Sequence, residues 1–201
     1  MKRTRSVVFF KAILAGLCIA IGGMIYLSLE NKIIGALLFT VGLYAIVLNG
    51  LFLYTGKVGY LVVEDDKKEY LLTLALTWLG NLIGTGIGAI AILNTRMSLI
   101  AQNVDIICEN KLEDSPLSIF ILAVLCGMLM YIAVDGFKEK GNPIILFMGV
   151  SVFILCGFEH CIANMFYFSL AGAWSVKAFL YLLIMTLGNS VGGILIPLVK
   201  K

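Results

Sequence analysis

Charge is scarce in this chain. Of its 201 residues only 13% are Asp, Glu, Lys or Arg, while 61% are apolar, against about a quarter charged in an average soluble domain. That balance excludes a soluble globular enzyme, a nucleic-acid binder and a disordered chain. Histidine occurs once. Neither a Cys-x-x-Cys pair nor a His-Glu-x-x-His motif is present, so no metal site, disulfide framework or cofactor is expected. Cys18, Cys126, Cys156 and Cys161 fall in apolar runs, where cysteine acts as a small hydrophobe. Long polar stretches are missing too: Asn94 to Ser115 is the longest and is too short for a soluble domain. A net charge of +3 argues for no polyanionic partner.

What remains is apolar segments. A helical crossing needs roughly 20 residues, and six segments are legible at about 8–29, 33–62, 70–95, 116–137, 143–174 and 177–199. The chain reads as an all-α integral membrane protein, a single transmembrane domain over 1–201. The basic start Lys2-Arg3-Thr4-Arg5 leads into the first crossing and is read as retained rather than cleaved. The second and fifth segments are too long for one straight crossing and carry their least lipid-like residues inside: Asn49, Gly50, Thr55, Gly56 and Lys57 in one, Gly157, Glu159, His160 and Asn164 in the other. Such composition predicts helices that break within the membrane, with long tilted helices as the alternative. Six crossings place both termini on one face with Lys2, Arg3, Arg5, Lys67, Lys68, Lys138, Lys140, Lys200 and Lys201; Lys32, Arg96, Lys111 and Lys177 fall on the other. The imbalance predicts a multi-pass protein of the inner (plasma) membrane with both termini cytoplasmic.

The halves, about 1–100 and 101–201, also resemble each other. Gly80-Asn81-Leu82-Ile83-Gly84 recurs as Gly188-Asn189-Ser190-Val191-Gly192, an offset of 108 (80 to 188). Ile13–Cys18 lies over Ile121–Cys126 at that offset, and Thr55-Gly56-Lys57 over Ala163-Asn164-Met165. Three crossings per half predict two inverted repeats, with a pathway where the broken helices meet. The Gly-Asn pairs read as close-packing, hydrogen-bonding sites.

Within the apolar segments Glu159-His160 is the sharpest feature, because an intramembrane ionisable group marks a pathway. His160 is read as functional, with Thr55 opposite it to orient the ring. Glu159 is read as a cap for freed backbone N–H groups at the break. Lys11 and Lys111 are candidates for gathering anions at the two mouths, against simple snorkelling. Phe39, Leu43, Leu53, Tyr54 and Phe153 are candidates for apolar constrictions.

Gly157 to Met165, GFEHCIANM, resembles the fifth-helix signature of the formate/nitrite transporter family, which includes formate, nitrite and hydrosulfide channels. Leu53–Lys57 (LYTGK) is similar to its second-helix loop, Trp78–Gly84 (WLGNLIG) to its third helix and Leu187–Gly193 (LGNSVGG) to its sixth. The resemblance implies an aquaporin-like homopentamer with one pore per protomer, and transport rather than an enzyme activity. It makes His160 the central pore histidine, Thr55 its partner and Asn164 a support of the broken helix. Leu43, Leu53, Phe39 and Phe153 fall where the family places its constrictions, with Tyr54 adjoining, and Lys111 falls at its outer-vestibule lysine. Departures are Phe52 for a glutamate, Lys57 for an asparagine, and Gly127 for an asparagine whose amide would help the histidine.

The expected function is a channel for a small monovalent anion of a weak acid: formate, nitrite or hydrosulfide. Lys111 gathers the anion, a proton is added in the vestibule or from His160, and the neutral acid passes the constrictions. A water or neutral-solute channel and a non-conducting membrane sensor are the alternatives.

Overall fold

Among the described residues, 4–200 of a computed structural model, the chain forms eight α-helices and no strand. They are α1 (Arg5–Ser28), α2 (Lys32–Leu48), α3 (Lys67–Leu93), α4 (Ala101–Glu113), α5 (Pro116–Lys140), α6 (Ile144–Leu155), α7 (Cys161–Leu170) and α8 (Val176–Val199). Lys2, Arg3 and Lys201, counted above for orientation, lie outside the described residues.

The short polar links start the helices by capping them. Asn31 Oδ1 accepts the Ile33 and Ile34 N–H groups at 3.1 and 3.2 Å, and Asp66 Oδ1 that of Glu69 at 3.1 Å. Ser115 and Ser175 accept the N–H groups of Ser118 and Ala178, with Pro116 in the first turn of α5. Asn94–Ser115 is not the plain polar connection expected. It folds into a 3-10 turn (Ser98–Ile100) and α4, which packs Val104 and Cys108 inward.

Helices α1, α3, α5 and α8 are each long and apolar enough to cross a membrane. They pair as α1 with α3 and α5 with α8, through small residues. A Cβ on Gly84 would meet Ile13 O, and one on Gly192 would meet Val124 O. Helices surrounded by lipid gain little by burying Leu against Leu, so close backbone approach holds them together. Their outer faces are apolar: Phe10 is 66% exposed and Leu117 68%.

Both long segments are interrupted. α2 stops at Leu48, and residues 49–57 are non-helical before a 3-10 turn, Val58–Val62; α6 stops at Leu155, five residues before α7. The stops share one design. Gly50 (φ +57°) and Gly157 (φ +67°) take the left-handed conformation that glycine adopts without penalty. Leu51 N–H then reaches Ile46 O at 2.9 Å, and Phe158 N–H reaches Phe153 O at 2.8 Å, closing each helix end.

A buried asparagine fastens each break to a long helix pair. Asn81 Oδ1 accepts Tyr54 N–H at 2.9 Å, and its Nδ2 donates to Phe52 O and Ala12 O, both at 2.8 Å. Asn189 Oδ1 accepts Cys161 N–H at 2.8 Å, and its Nδ2 donates to Glu159 O at 2.7 Å and Ala123 O at 2.8 Å. The Gly-Asn pairs therefore do more than pack; their amides take up the backbone groups the breaks release. These contacts also correct the register read from sequence. The asparagines match at 108 (81 to 189), but the breaks match at 107 (50 to 157) and α1 with α5 at 111 (12 to 123). Gly16 and Gly127 make matching contacts, each facing the backbone oxygen of its asparagine. An apolar helix slid by three residues looks almost unchanged in sequence, because three is close to one turn; the glycines that admit the neighbouring backbone set the true register.

Both described termini lie at one end of the bundle. Arg5 pairs with Glu69 at the start of α3, and Lys200 with Asp135 near the end of α5. Tyr60 bonds Asp135 and Tyr70 bonds Lys57 O, placing the exit of the first break there too. We call this the terminal end; Lys111 and Asp114 lie at the far end.

Candidate functional site

The two breaks meet through Thr55 and His160, which are 1% and 2% exposed. Thr55 Oγ1 and His160 Nε2 are 2.8 Å apart. His160 also opens α7: its Nδ1 accepts Ala163 N–H at 3.1 Å. Since Nδ1 is occupied as an acceptor, the hydrogen of the neutral ring sits on Nε2 and is donated to Thr55. Phe153 stacks on the imidazole at 5.4 Å between centroids, and Phe39 meets Phe153 edge-on at 6.2 Å.

Beside the histidine lies an ion pair. Lys111 Nζ is 2.8 and 2.7 Å from the two Glu159 oxygens, and Asn164 Nδ2 donates to Glu159 Oε2 at 2.7 Å and to His160 O at 3.1 Å. The Glu159 side chain is 4% exposed and that of Lys111 14%. Two expectations change here. The Glu159 carboxylate does not cap backbone N–H groups; asparagine and histidine side chains do that. Lys111 is not a lone cation, because the carboxylate it contacts cancels its charge at a distance.

Two cavities flank the pair. One of about 40 Å³ lies towards the terminal end, lined by Leu43, Leu53, Lys57 and Lys138 among others. The other, of about 120 Å³, lies towards the far end, lined by Lys111, Phe153, His160 and Asn164 among others. They share no lining residue. Leu43 and Leu53 line the first and Phe153 the second, Phe39 lies edge-on against Phe153, and none of the four is more than 3% exposed. Asn164 Oδ1, buried at the second cavity, has no hydrogen-bond partner among the described residues.

The structure brings together His160, Thr55, Leu43, Leu53, Phe39, Phe153, Lys111, Glu159 and Asn164, with Gly157 making the turn before them. Tyr54 goes elsewhere: its hydroxyl meets Ser190 Oγ at 2.8 Å in an apolar crevice between α3 and α8, because neighbouring residues of the non-helical stretch face opposite ways. Lys11 holds Gly50 O at 3.3 Å, neutralising the carbonyl end of α2 at the terminal mouth. Gly127 does not vacate space beside the histidine, since a Cβ there would strike the backbone of Asn189. Residue-type reading missed Asn81 and Asn189 as organisers of the site and Lys138 at its mouth. The repeated Gly-Asn pair was the available signal for the first two; for Lys138 there was none.

The sequence profile of the formate/nitrite transporter family matches residues 1–200. The chain is 26% identical over 182 residues to "Formate channel FocA" of Haemophilus influenzae, covering 79% of this chain and 64% of that protein. It is 30% identical over 191 residues to "Formate-nitrite transporter 2" of Toxoplasma gondii, covering 83% and 40%. The chain thus spans less than two thirds of the length of these relatives. A solved "Pentameric formate channel with formate bound" superposes with a TM-score of 0.85 at 26% identity, covering 100% of this chain and 97% of that one. An "FNT family ion channel" gives 0.84 at 20% identity and shares the fold.

Proposed function

The chain belongs to the formate/nitrite transporter family, and on that premise we propose that it is a membrane channel for a small monovalent anion of a weak acid. Formate, nitrite and hydrosulfide are the candidate substrates. The observation that carries this reading is the buried Thr55–His160 pair between two separate cavities, where the two breaks meet. The recurring asparagine-fastened breaks support a single domain over 1–201 of six crossings in two inverted repeats, aquaporin-like in plan, with α2 and the following break forming the second crossing and α6 with α7 the fifth. The solved pentameric relative supports a homopentamer, and the Thr55–His160 pair with its two cavities inside one chain supports one pore per protomer. The basic residues at the terminal end support both termini in the cytoplasm and residence in the plasma membrane.

An anion crossing the Leu43/Leu53 and Phe39/Phe153 layers would lose its hydration, at an idealised cost of order 20 kcal/mol. Crossing as the neutral acid removes most of that cost. Two features suit the neutral form. His160 offers one N–H, on Nε2, and Asn164 Oδ1 is an acceptor without a donor among the described residues; formic and nitrous acid bring a matching hydroxyl that their anions lack. The proton comes from hydronium in the vestibule, which leaves only water behind. His160 cannot supply it from its neutral state without forming an imidazolate, and a second ring proton would have to displace Ala163 N–H from Nδ1. The ring therefore orients and hydrogen-bonds the substrate, with Thr55 yielding its place.

The test is flux of formate, nitrite and hydrosulfide into liposomes holding the purified protein, from pH 5 to 8. Saturating uptake of one substrate, following the neutral-acid concentration as pH falls and weakened in His160→Asn, is the expected result. Equal water flux with no anion or acid flux would replace this reading with a water channel. Unchanged flux and pH dependence in His160→Asn would remove the histidine from the mechanism.

A further inference from the structure

Two tyrosines beside His160 have no role so far. Tyr26, near the end of α1, and Tyr167, in α7, both line the 120 Å³ cavity towards the far end. Tyr167 is 7% exposed, and neither hydroxyl makes a hydrogen bond among the described residues. A buried phenol ordinarily finds a partner. The buried side-chain atoms that lack one among the described residues are Thr40 Oγ1 and Asn164 Oδ1; the Tyr167 hydroxyl is not one of them, so it meets the open space of the cavity. Tyr26, Cys108 and Glu159 are its electrostatic neighbours. Tyr26 also lines a 590 Å³ space further out, and it shares both linings with Ile107 alone. These two residues therefore form the neck through which the cavity is entered from the far end.

Both rings are held in place. Lys32 Nζ lies 5.0 Å from the Tyr26 centroid, and Gly35 packs so closely that a Cβ there would come within 3.2 Å of Tyr26 Cδ2. Phe166 packs on the Tyr167 ring with centroids 5.8 Å apart. Hydroxyls on fixed rings present hydrogen bonds without an ordering cost at the moment of binding. Their chemistry suits a molecule with two oxygens. A phenol both donates and accepts, so it can give its hydrogen to an oxygen of formate or nitrite. Once the anion is protonated, one phenol still donates to the remaining carbonyl or nitroso oxygen while the other accepts the new hydroxyl. Contact is thus kept in both protonation states. Sulfur is a weak acceptor and S–H a weak donor, so hydrogen sulfide gains little from either phenol. The lysine of this cavity does not discriminate, because Lys111 is committed to Glu159.

We propose that Tyr26 and Tyr167 are specificity-determining residues of the far cavity, whose hydroxyls bind the oxygens of a small two-oxygen acid or its anion and favour formate and nitrite over hydrosulfide. The inference rests on the channel reading and narrows its substrate class.

Uptake of radiolabelled formate into liposomes holding the purified protein, with nitrite and hydrosulfide uptake beside it, tests the selection. Replacing Tyr by Phe removes only the oxygen, and one lost hydrogen bond weakens binding about fivefold. Tyr26→Phe and Tyr167→Phe are each expected to raise half-saturating formate and nitrite about fivefold with maximal flux retained. Hydrosulfide uptake, taken above that of protein-free vesicles, should not change. A role in packing alone would instead lower the maximal flux of all three together with the unfolding midpoint. That result, or an unchanged half-saturation in the double variant, overturns the proposal. Saturation-transfer NMR of the formate proton, on the protein in detergent, gives an arm independent of transport: the dissociation constant is expected to rise about fivefold in Tyr167→Phe. If the unaltered protein passes no formate but shows this rise, the channel reading fails and the site stands; no rise overturns the site.

Discussion

Removing Lys111 while leaving Glu159 is the sharpest perturbation this molecule offers. In Lys111→Met the carboxylate, 4% exposed, keeps one side-chain hydrogen bond, from Asn164 at 2.7 Å, and loses its counter-ion at 2.7 Å. An orphaned buried charge of this kind costs about 3–5 kcal/mol. Glu159→Gln leaves the opposite orphan, but Lys111 is 14% exposed at the edge of a cavity and can turn towards water, so its loss should be nearer the 1–3 kcal/mol of one unmatched group. The double variant carries no charge there and should be more stable than Lys111→Met alone. The cycle therefore predicts a coupling near the upper part of the 0.5–3 kcal/mol seen for residues sharing a network. Denaturant unfolding of the purified protein in detergent, followed by tryptophan fluorescence, measures it. If the two single losses simply add, Lys111 and Glu159 are not held as a unit and the charge neutralisation read from their contact is wrong.

Four other expectations follow from the geometry. Asn189→Ala orphans Cys161 N–H and Glu159 O, at about 1–3 kcal/mol each, and should lower the unfolding midpoint and free the start of α7 to hydrogen exchange; Ser190→Ala beside it, which loses the Tyr54 hydroxyl contact, should leave the start of α7 protected. Gly127→Ala drives a methyl into the Asn189 backbone and should cost about 1–3 kcal/mol as overpacking, so restoring an asparagine there should harm the protein, a result read from the same unfolding curves. Thr55→Val keeps the shape but removes the acceptor of His160 Nε2–H; substrate flux should fall while Thr55→Ser retains it. Burial pushes the Cys108 thiol up to about 12, so it stays protonated through neutral pH. Because only the thiolate reacts, mass spectrometry of maleimide-treated protein should show Cys108 unlabelled at pH 7, with its rate rising as pH climbs towards the raised value.

The membrane character, the two interrupted segments and the meeting of Thr55 with His160 were legible in the linear sequence, for physical reasons. Charge in lipid is costly, so a lone Glu159-His160 inside an apolar run, and glycines beside polar side chains at that depth, restrict what the backbone can do. Those constraints act locally or over a single segment, and composition reports them. Other features depend on which backbone faces which. The pairing of Gly16 with Gly127 depends on the close approach of α1 to α3 and of α5 to α8, and apolar identity carries almost no information about a slide of one turn. That Glu159 meets Lys111, that Asn81 and Asn189 take up the released backbone groups, and that Tyr54 turns to Ser190 instead of the constriction all join residues far apart in the chain. Lys138 reads in sequence as one more basic residue at a helix end. It becomes a wall of the terminal mouth only because Tyr60, 78 residues away, takes it by the hydroxyl while Lys200 occupies Asp135. Sequence by itself determined where the chain must break and which groups lipid would not tolerate unpaired; the choice of partner for each group was decided by tertiary packing.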